Sequence, residues 1–187
     1  ATEKGIRYCC INDNELQPIP IPPLDEIKGQ ISELYYHRVL KRLFIGTFEK
    51  GIFAYDLLTR QILHSETDLS DVNITQISAL NENELLIATE GMGIYKIQAN
   101  SGVIHPYLTT NYESNNEMMG NIINDIYVDE EKRIWLANYP TGITIVDNRY
   151  QNYHWIKHSI GNKQSLINDH VHTIIEDSEG DLWFGTG

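Results

Sequence analysis

Four segments of this 187-residue sequence read as copies of one another, and that repetition limits the fold more than any other feature. Leu43-Phe44-Ile45-Gly46-Thr47 is followed, four residues after its Thr, by Gly51-Ile52-Phe53-Ala54-Tyr55. Leu85-Leu86-Ile87-Ala88-Thr89 is followed at the same distance by Gly93-Ile94-Tyr95, and Ile134-Trp135-Leu136-Ala137-Asn138 by Gly142-Ile143-Thr144-Ile145. The fourth copy is Leu182-Trp183-Phe184-Gly185-Thr186. The matching positions Phe44, Leu86, Trp135 and Trp183 lie 42, 49 and 48 residues apart. An apolar run precedes each copy: Ile31 to Leu34, Ile74 to Leu80, Ile122 to Val128 and Val171 to Ile175. Polar turns separate run from copy, as in Asn81-Glu82-Asn83-Glu84, Asp129-Glu130-Glu131-Lys132 and Asp177-Ser178-Glu179-Gly180-Asp181.

Each unit is a series of short Val/Ile/Leu/Tyr-rich runs punctuated by turn residues, without helical periodicity, so the runs are strands. Gly51, Gly93 and Gly142 each open a strand after a short loop, where a backbone position that tolerates no side chain is expected. A repeat of about 40 to 50 residues with about four strands is the signature of a β-propeller blade, whereas a leucine-rich repeat is about half as long. Strand A is the run before the polar turn and strand B the copy itself. Strand C starts at the Gly-Ile pair, and strand D falls near Gln61-Ile62-Leu63, Val103-Ile104 and Tyr153-His154-Trp155.

Glu3-Lys4-Gly5-Ile6 repeats Glu49-Lys50-Gly51-Ile52, 46 residues earlier. The sequence thus predicts an all-β chain of about four blade equivalents, entering at strand C of one blade and leaving after strand B of another. Residues 1–29 are the outer strands of a preceding blade; 30–72, 73–120 and 121–168 are blades; 169–187 are the inner strands of a following blade. Closure as a four-bladed ring is one possibility, and membership of a larger, seven-bladed propeller is the preferred expectation. In the latter, absent blades of the same chain are partners of this segment. An open excerpt exposes sheet edges, an aggregation liability. The lack of an initiator Met points the same way.

Composition bounds the partners. Against 26 Asp and Glu stand 14 Lys and Arg, a net charge of −12 without a basic cluster, which disfavours nucleic acid and anionic membrane surfaces. Neutral ligands such as sugars or peptides carry no such penalty. Apolar residues make up 41% and charged residues 21%, a globular composition. No apolar run is long enough to cross a membrane, and Ala1 to Tyr8 show no signal-peptide pattern. The two cysteines, Cys9 and Cys10, are neighbours whose α-carbons, about 3.8 Å apart, are closer than the usual disulfide span of about 4.4–6.8 Å. They read as free thiols.

The stretch from Ser165 to Thr186 resembles the two-component regulator propeller repeat, which runs Ser-Leu, a polar loop with Asn, Val-x-x-Ile, then Asp-x-x-Gly-x-Leu-Trp-Ile-Gly-Thr. The fourth unit, with Ser165-Leu166, Asn168, Val171, Ile174, Asp177, Gly180 and Leu182-Trp183-Phe184-Gly185-Thr186, matches nearly throughout. The third keeps Asn121, Ile126, Asp129, Ile134 and Trp135 but has Ala137-Asn138 in place of Gly-Thr. The first two replace the Trp by Phe44 and Leu86.

This resemblance implies the extracytoplasmic, periplasmic sensor of a hybrid two-component histidine kinase and response regulator in a glycan-degrading bacterium. In that family two seven-bladed propellers precede an immunoglobulin-like domain, a membrane helix and kinase modules. The ligands are usually oligosaccharides, the parent protein is a homodimer, and binding alters the phosphorelay and so transcription. None of the seven histidines sits in a setting resembling a phosphoacceptor helix, so this segment itself is expected to be no enzyme. No cofactor is implied.

The recurrent residues Gly51, Gly93, Gly142, Trp135, Trp183, Asp177 and Gly180 are read as structural: the tryptophans pack between blades, Asp177 caps backbone amides and Gly180 takes positive φ. Ligand contacts are sought where the units differ, in the D–A and B–C connections, which open on one face. The long polar connection from Thr109 to Gly120 and the B–C connection Asn138-Tyr139-Pro140-Thr141 depart from their siblings. Tyr112, Asn115, Asn138 and Tyr139 are therefore the ligand candidates: aromatic faces stack on sugar rings and amides bond their hydroxyls. The plainer reading of each is a solvated loop residue or an aromatic packed beneath it.

His170-x-His172 in a strand would present both rings on one face, as a metal site needs, but no third ligand is evident and no metal is assigned. Asp25, Glu26 and the acidic turns supply carboxylates, yet no motif fixes the close pair that glycoside hydrolysis requires, and no catalytic residue is assigned. A propeller glycosidase or polysaccharide lyase, and a protein-binding propeller scaffold, are the alternatives to the ligand sensor.

Overall fold

A computed structural model describes residues 6–8, 19–20, 27, 30–63, 69–109, 120, 122–147 and 152–187, with only the backbone given at 7–8, 19–20 and 152–155. Every regular element among them is a β-strand, and the chain divides into two compact units, Ala1–Asn73 and Ile74–Gly187.

In the first unit β1 (Arg7–Tyr8) pairs antiparallel with β2 (Ile19–Pro20). A four-stranded antiparallel sheet follows, in the order β3 (Ile31–His37), β4 (Arg42–Thr47), β5 (Ile52–Asp56) and β6 (Gln61–Leu63). Ile6, Ile45 and Tyr55 form its apolar centre, with Ile31, Leu43 and Phe53 against them. The second unit repeats the meander: β7 (Ile74–Ala79), β8 (Glu84–Thr89), β9 (Ile94–Gln98), β10 (Ile104–Leu108), then β11 (Ile122–Val128), β12 (Ile134–Tyr139), β13 (Gly142–Asp147), β14 (Asn152–Ile156). An antiparallel pair, β15 (Val171–Glu176) and β16 (Leu182–Thr186), completes it. These are β-propeller blades, and the strands fall where the repeat places strands A to D.

Strand β12 shows why each repeat is so apolar. Successive side chains of a strand point to opposite faces. Ile134 and Leu136 join Leu86, Ala88 and Ile94 of the preceding sheet in one core cluster. Trp135 and Ala137 turn the other way, towards Val171, Ile174 and Phe184. Both faces are thus covered, and near-continuous apolar sequence is the result.

The turn from strand A to strand B is built by paired residues. Asp129 accepts the backbone N–H of Arg133 at 2.8 Å and the indole N–H of Trp135 at 2.9 Å. Asp177 accepts from Glu179 at 2.9 Å, Asp181 at 3.1 Å and the indole of Trp183 at 2.7 Å, while Gly180 takes φ of 88°. The strand register puts Leu80 where Asp129 stands and Leu86 where Trp135 stands, and both leucines are buried in one cluster. Asn81, one place later, caps that turn by accepting from Asn83 and Glu84 at 2.8 and 3.0 Å. Without an indole N–H no carboxylate is needed, so an apolar pair replaces the hydrogen-bonded one. In the first unit His37 and Phe44 occupy the two places, and the His37 Nδ1 accepts the Leu40 N–H at 3.3 Å.

Each strand A also carries a register shift near its start, stepping over Ser32, Thr75, Asn124 and His172. The extra residue of a bulge escapes the ladder and is free to reach sideways. Thr75 donates its hydroxyl to the Ile123 carbonyl, and Asn124 donates its amide to the Val171 carbonyl at 2.9 Å, so each clips its sheet to the next. Asp125 accepts the Ile174 N–H at 2.8 Å and the Thr173 hydroxyl at 3.0 Å across the same junction. At the strand C entries, a β-carbon on Gly51 would lie 2.1 Å from the Leu69 carbonyl oxygen, and one on Gly142 would lie 2.6 Å from that of Ile156.

Candidate functional site

Strand β12 ends at Tyr139 and β13 begins at Gly142, so only Pro140 and Thr141 connect them, with the Tyr139–Pro140 peptide cis. In the two earlier sheets this connection is tied by a threonine. The hydroxyls of Thr47 and Thr89 donate to the carbonyls of Gly51 and Gly93, each at 2.7 Å. Asn138 takes that place in the third. It is wholly buried, and its amide donates to the Thr144 hydroxyl instead. The Asn138 Oδ1 and the Thr141 Oγ1 are buried without a hydrogen-bond partner among the described residues.

Tyr139 is 39% exposed, and its ring lies 4.9 Å from that of His170 at a tilt of 49°. His170 stands just before β15, held by its backbone N–H on the Asn168 side chain at 2.8 Å and its carbonyl on the Gly187 N–H at 3.0 Å. The connection leading to it is folded by local polar contacts. Leu166 offers its carbonyl at 2.7 Å to the His158 ring, and the Ser159 N–H donates to Ser165 at 2.9 Å. Asp169 receives the His158 N–H. Because these connections meet at one end of their sheets, a ring pair of aromatic and imidazole is presented beside a buried amide and hydroxyl.

The four sequence candidates are therefore placed differently. Tyr139 offers an accessible ring. Asn138 faces inward, so it supports the loop rather than meeting solvent. Tyr112 and Asn115 lie outside the described residues, as do Cys9, Cys10, Asp25, Glu26 and Asn121. His170 was visible only as half of a His-x-His pair. His170 lies just before β15, which starts at Val171, and His172 sits on its bulge, while the His172 ring and the His170 β-carbon both lie within 4 Å of where a β-carbon on Gly187 would stand. Nothing in the sequence joins residue 139 to residue 170; the packing of the β11–β14 sheet against the β15–β16 sheet does. Among the described residues no group of three or more His, Cys, Asp or Glu is gathered as for a metal ion. No helix among them is long and apolar enough to cross a membrane.

The structural tryptophans behave differently at their two sites. Trp135 stacks on Phe184 with ring centroids 6.3 Å apart, whereas Trp183 is 62% exposed. The carboxyls beneath both are more acidic than usual. For Asp177 the indole of Trp183 is the chief cause, followed by the turn amides. For Asp129 burial is the largest influence and acts to raise the value, but the bonds from Trp135 and Arg133 together outweigh it. Tyr127 donates its hydroxyl to Glu176 of the next sheet, and that bond pushes its phenol up to about 12.

The repeated antiparallel meander defines this as a β-propeller protein. Within it, residues 165–187 match the family described as Two component regulator propeller, over β15, β16 and the connection before them. No curated protein matches the sequence. Among solved structures, the chain is similar to the extracellular domain of the proposed one component system BT4673 from B. thetaiotaomicron. Identity there is 18% over 98% of this chain and 24% of that one, with a TM-score of 0.73. A second structure, described as the extracellular domain of the hybrid two component system proposed for BT4673, gives 24% identity over 83% and 22%, TM-score 0.62. The corresponding domain of BT3049 from the same organism gives 18% over 94% and 27%, TM-score 0.53. The chain thus spans about a quarter of the length of these structures.

Proposed function

We propose that this segment belongs to the extracytoplasmic sensor of a hybrid two-component system and takes an oligosaccharide at the Tyr139–His170 corner. The observation that carries the reading is the half-exposed Tyr139 ring, held against His170 on a connection that departs from its siblings in the other sheets. A sugar offers a C–H face to the ring and hydroxyls to polar neighbours, and the chain's net charge of −12 does not oppose a neutral ligand. The two-component regulator match and the similarity to extracellular domains of such systems support a sensory role and an extracytoplasmic, periplasmic setting. Binding would then be relayed across the membrane by kinase parts outside this chain, in a dimeric parent.

The test is isothermal titration of the intact extracytoplasmic region with a panel of neutral oligosaccharides, followed by product analysis. Saturable heat with sugar recovered unchanged supports the sensor. Tyr139→Ala should then weaken binding by about two- to tenfold, since a stacked aromatic contributes about 0.5–1.5 kcal/mol and about 1.4 kcal/mol is a factor of ten. Cleaved sugar would replace the sensor by a glycosidase or lyase. No heat with any sugar would leave a protein-binding scaffold.

A further inference from the structure

We propose that the turn end of the β3–β6 sheet is a docking surface for an anionic phospholipid membrane. The β3–β4 and β5–β6 turns lie side by side there, tied by the Leu57 N–H on the Lys41 carbonyl at 3.0 Å. Together they display Val39 and Leu58, each 76% exposed, and Leu57, 44% exposed. Arg38, Lys41 and Arg60 stand in the same two turns, are exposed, and form no ion pair among the described residues. The acid nearest to them is occupied. Asp56 accepts the Leu58 and Thr59 N–H groups at 2.9 Å each and faces the Arg42 guanidinium at 3.5 Å.

The sibling sheets are polar at the matching places. The two residues after His37 are Arg38 and Val39, whereas the same steps from Leu80, Asp129 and Asp177 reach Asn81-Glu82, Glu130-Glu131 and Ser178-Glu179. In the β9–β10 turn Asn100 and Gly102 stand where the first sheet has Leu58 and Arg60. Arg60 takes φ of 60° and Lys41 takes 52°, left-handed backbone that a glycine such as Gly102 adopts without penalty. Strain of this kind is kept where the side chain has a use. The composition of the patch selects its occupant. An acidic protein surface would satisfy the cations but leave aliphatic tips against charge, whereas a membrane interface takes both, phosphates meeting the cations and the acyl boundary meeting Val39 and Leu58. The net charge of −12 is carried mainly by other residues: 74–187 hold 15 Asp and Glu against 6 Lys and Arg, while these two turns hold Arg38, Lys41, Arg42 and Arg60 against Asp56. Salt screens charges beyond about 8 Å, so the local sign governs a surface contact.

Flotation of the intact extracytoplasmic region with lipid vesicles is the test. It should float with vesicles of phosphatidylethanolamine and phosphatidylglycerol, less so as salt is raised, and not with vesicles of phosphatidylcholine alone. Each cation near an anionic surface contributes about fivefold, so Arg38→Gln/Arg60→Gln should weaken the affinity about 25-fold. Val39→Glu, which installs the residue of the three sibling turns, should abolish flotation while the melting temperature stays unchanged. Lys163→Gln, which removes an exposed cation from the connection before β15, should leave flotation as it was. The proposal is overturned if the unaltered region does not float with the phosphatidylglycerol vesicles, if it floats equally with phosphatidylcholine, or if Lys163→Gln weakens binding as much as the two arginine changes. It is equally overturned if the region ignores vesicles but binds poly-glutamate through Arg38 and Arg60, since the occupant would then be an acidic polypeptide.

Discussion

Asp129 and Trp135 form a hydrogen-bonded pair at the place where the preceding sheet carries Leu80 and Leu86, and this natural exchange sets up a double-mutant cycle. Asp129→Leu removes the acceptor of the Arg133 backbone N–H, of the Arg133 guanidinium and of the Trp135 indole. Hydrogen bonds to charged groups contribute about 1.5–3 kcal/mol each. Arg133 keeps Glu131 at 2.8 Å as a partner for its guanidinium, so only the backbone and indole bonds are counted, and at about 1.5 kcal/mol each the single change should cost about 3 kcal/mol. Trp135→Leu loses the stack on Phe184 and leaves the buried Asp129 short of a donor, for about 3 kcal/mol. The indole-to-carboxylate bond is charged to both singles, so Asp129→Leu/Trp135→Leu should cost about 1.5 kcal/mol less than their sum. Urea unfolding followed by circular dichroism measures all four corners. Additivity within about 0.5 kcal/mol would refute the reasoning, because the two residues would then act independently.

Other outcomes follow from the same contacts. Asp129 and Asp177 have folded-state values depressed below 3.8, so their contribution is complete above that pH and is lost as pH falls through the lower folded values; melting temperatures from pH 6 to 2 should drop less steeply in Asp129→Asn. Tyr127 is raised from 10.0 to about 12, so its contribution is present below pH 10 and is lost as pH rises towards 12. Ultraviolet titration should show one late-ionising tyrosine that Glu176→Gln brings back towards the others. Gly142→Ala should destabilise by more than about 2 kcal/mol, since a left-handed φ of 92° costs about 1–2 kcal/mol on its own and the added carbon meets the Ile156 carbonyl at 2.6 Å. Asn138→Thr, which restores the residue found at the two sibling positions, should keep the fold while moving Tyr139, read as a change in ligand affinity without a change in melting temperature.

Much of this architecture was present in the order of residues. A meander pairs strands adjacent in sequence, so period, turn chemistry and alternation of apolar side chains suffice to locate β11 at Ile122–Val128 and β6 at Gln61–Leu63. The Asp-to-Trp spacing of the third and fourth units is likewise local, and so the bond from Trp183 to Asp177 spans only six residues. What repetition could not convey is anything between repeats. That Asn124 reaches the Val171 carbonyl, that Trp135 is covered by Phe184 while Trp183 stands open, and that His170 rests on Tyr139 all depend on contacts more than 30 residues apart in the chain. Asn138 makes the same point for the candidate site. In sequence it is an amide in an unusual loop, and only the packing of β12 turns it inward, because alternation along a strand assigns each residue a face but not what covers that face. The sequence by itself determined the blade; the tertiary structure decided which of its residues meet a neighbour and which meet solvent.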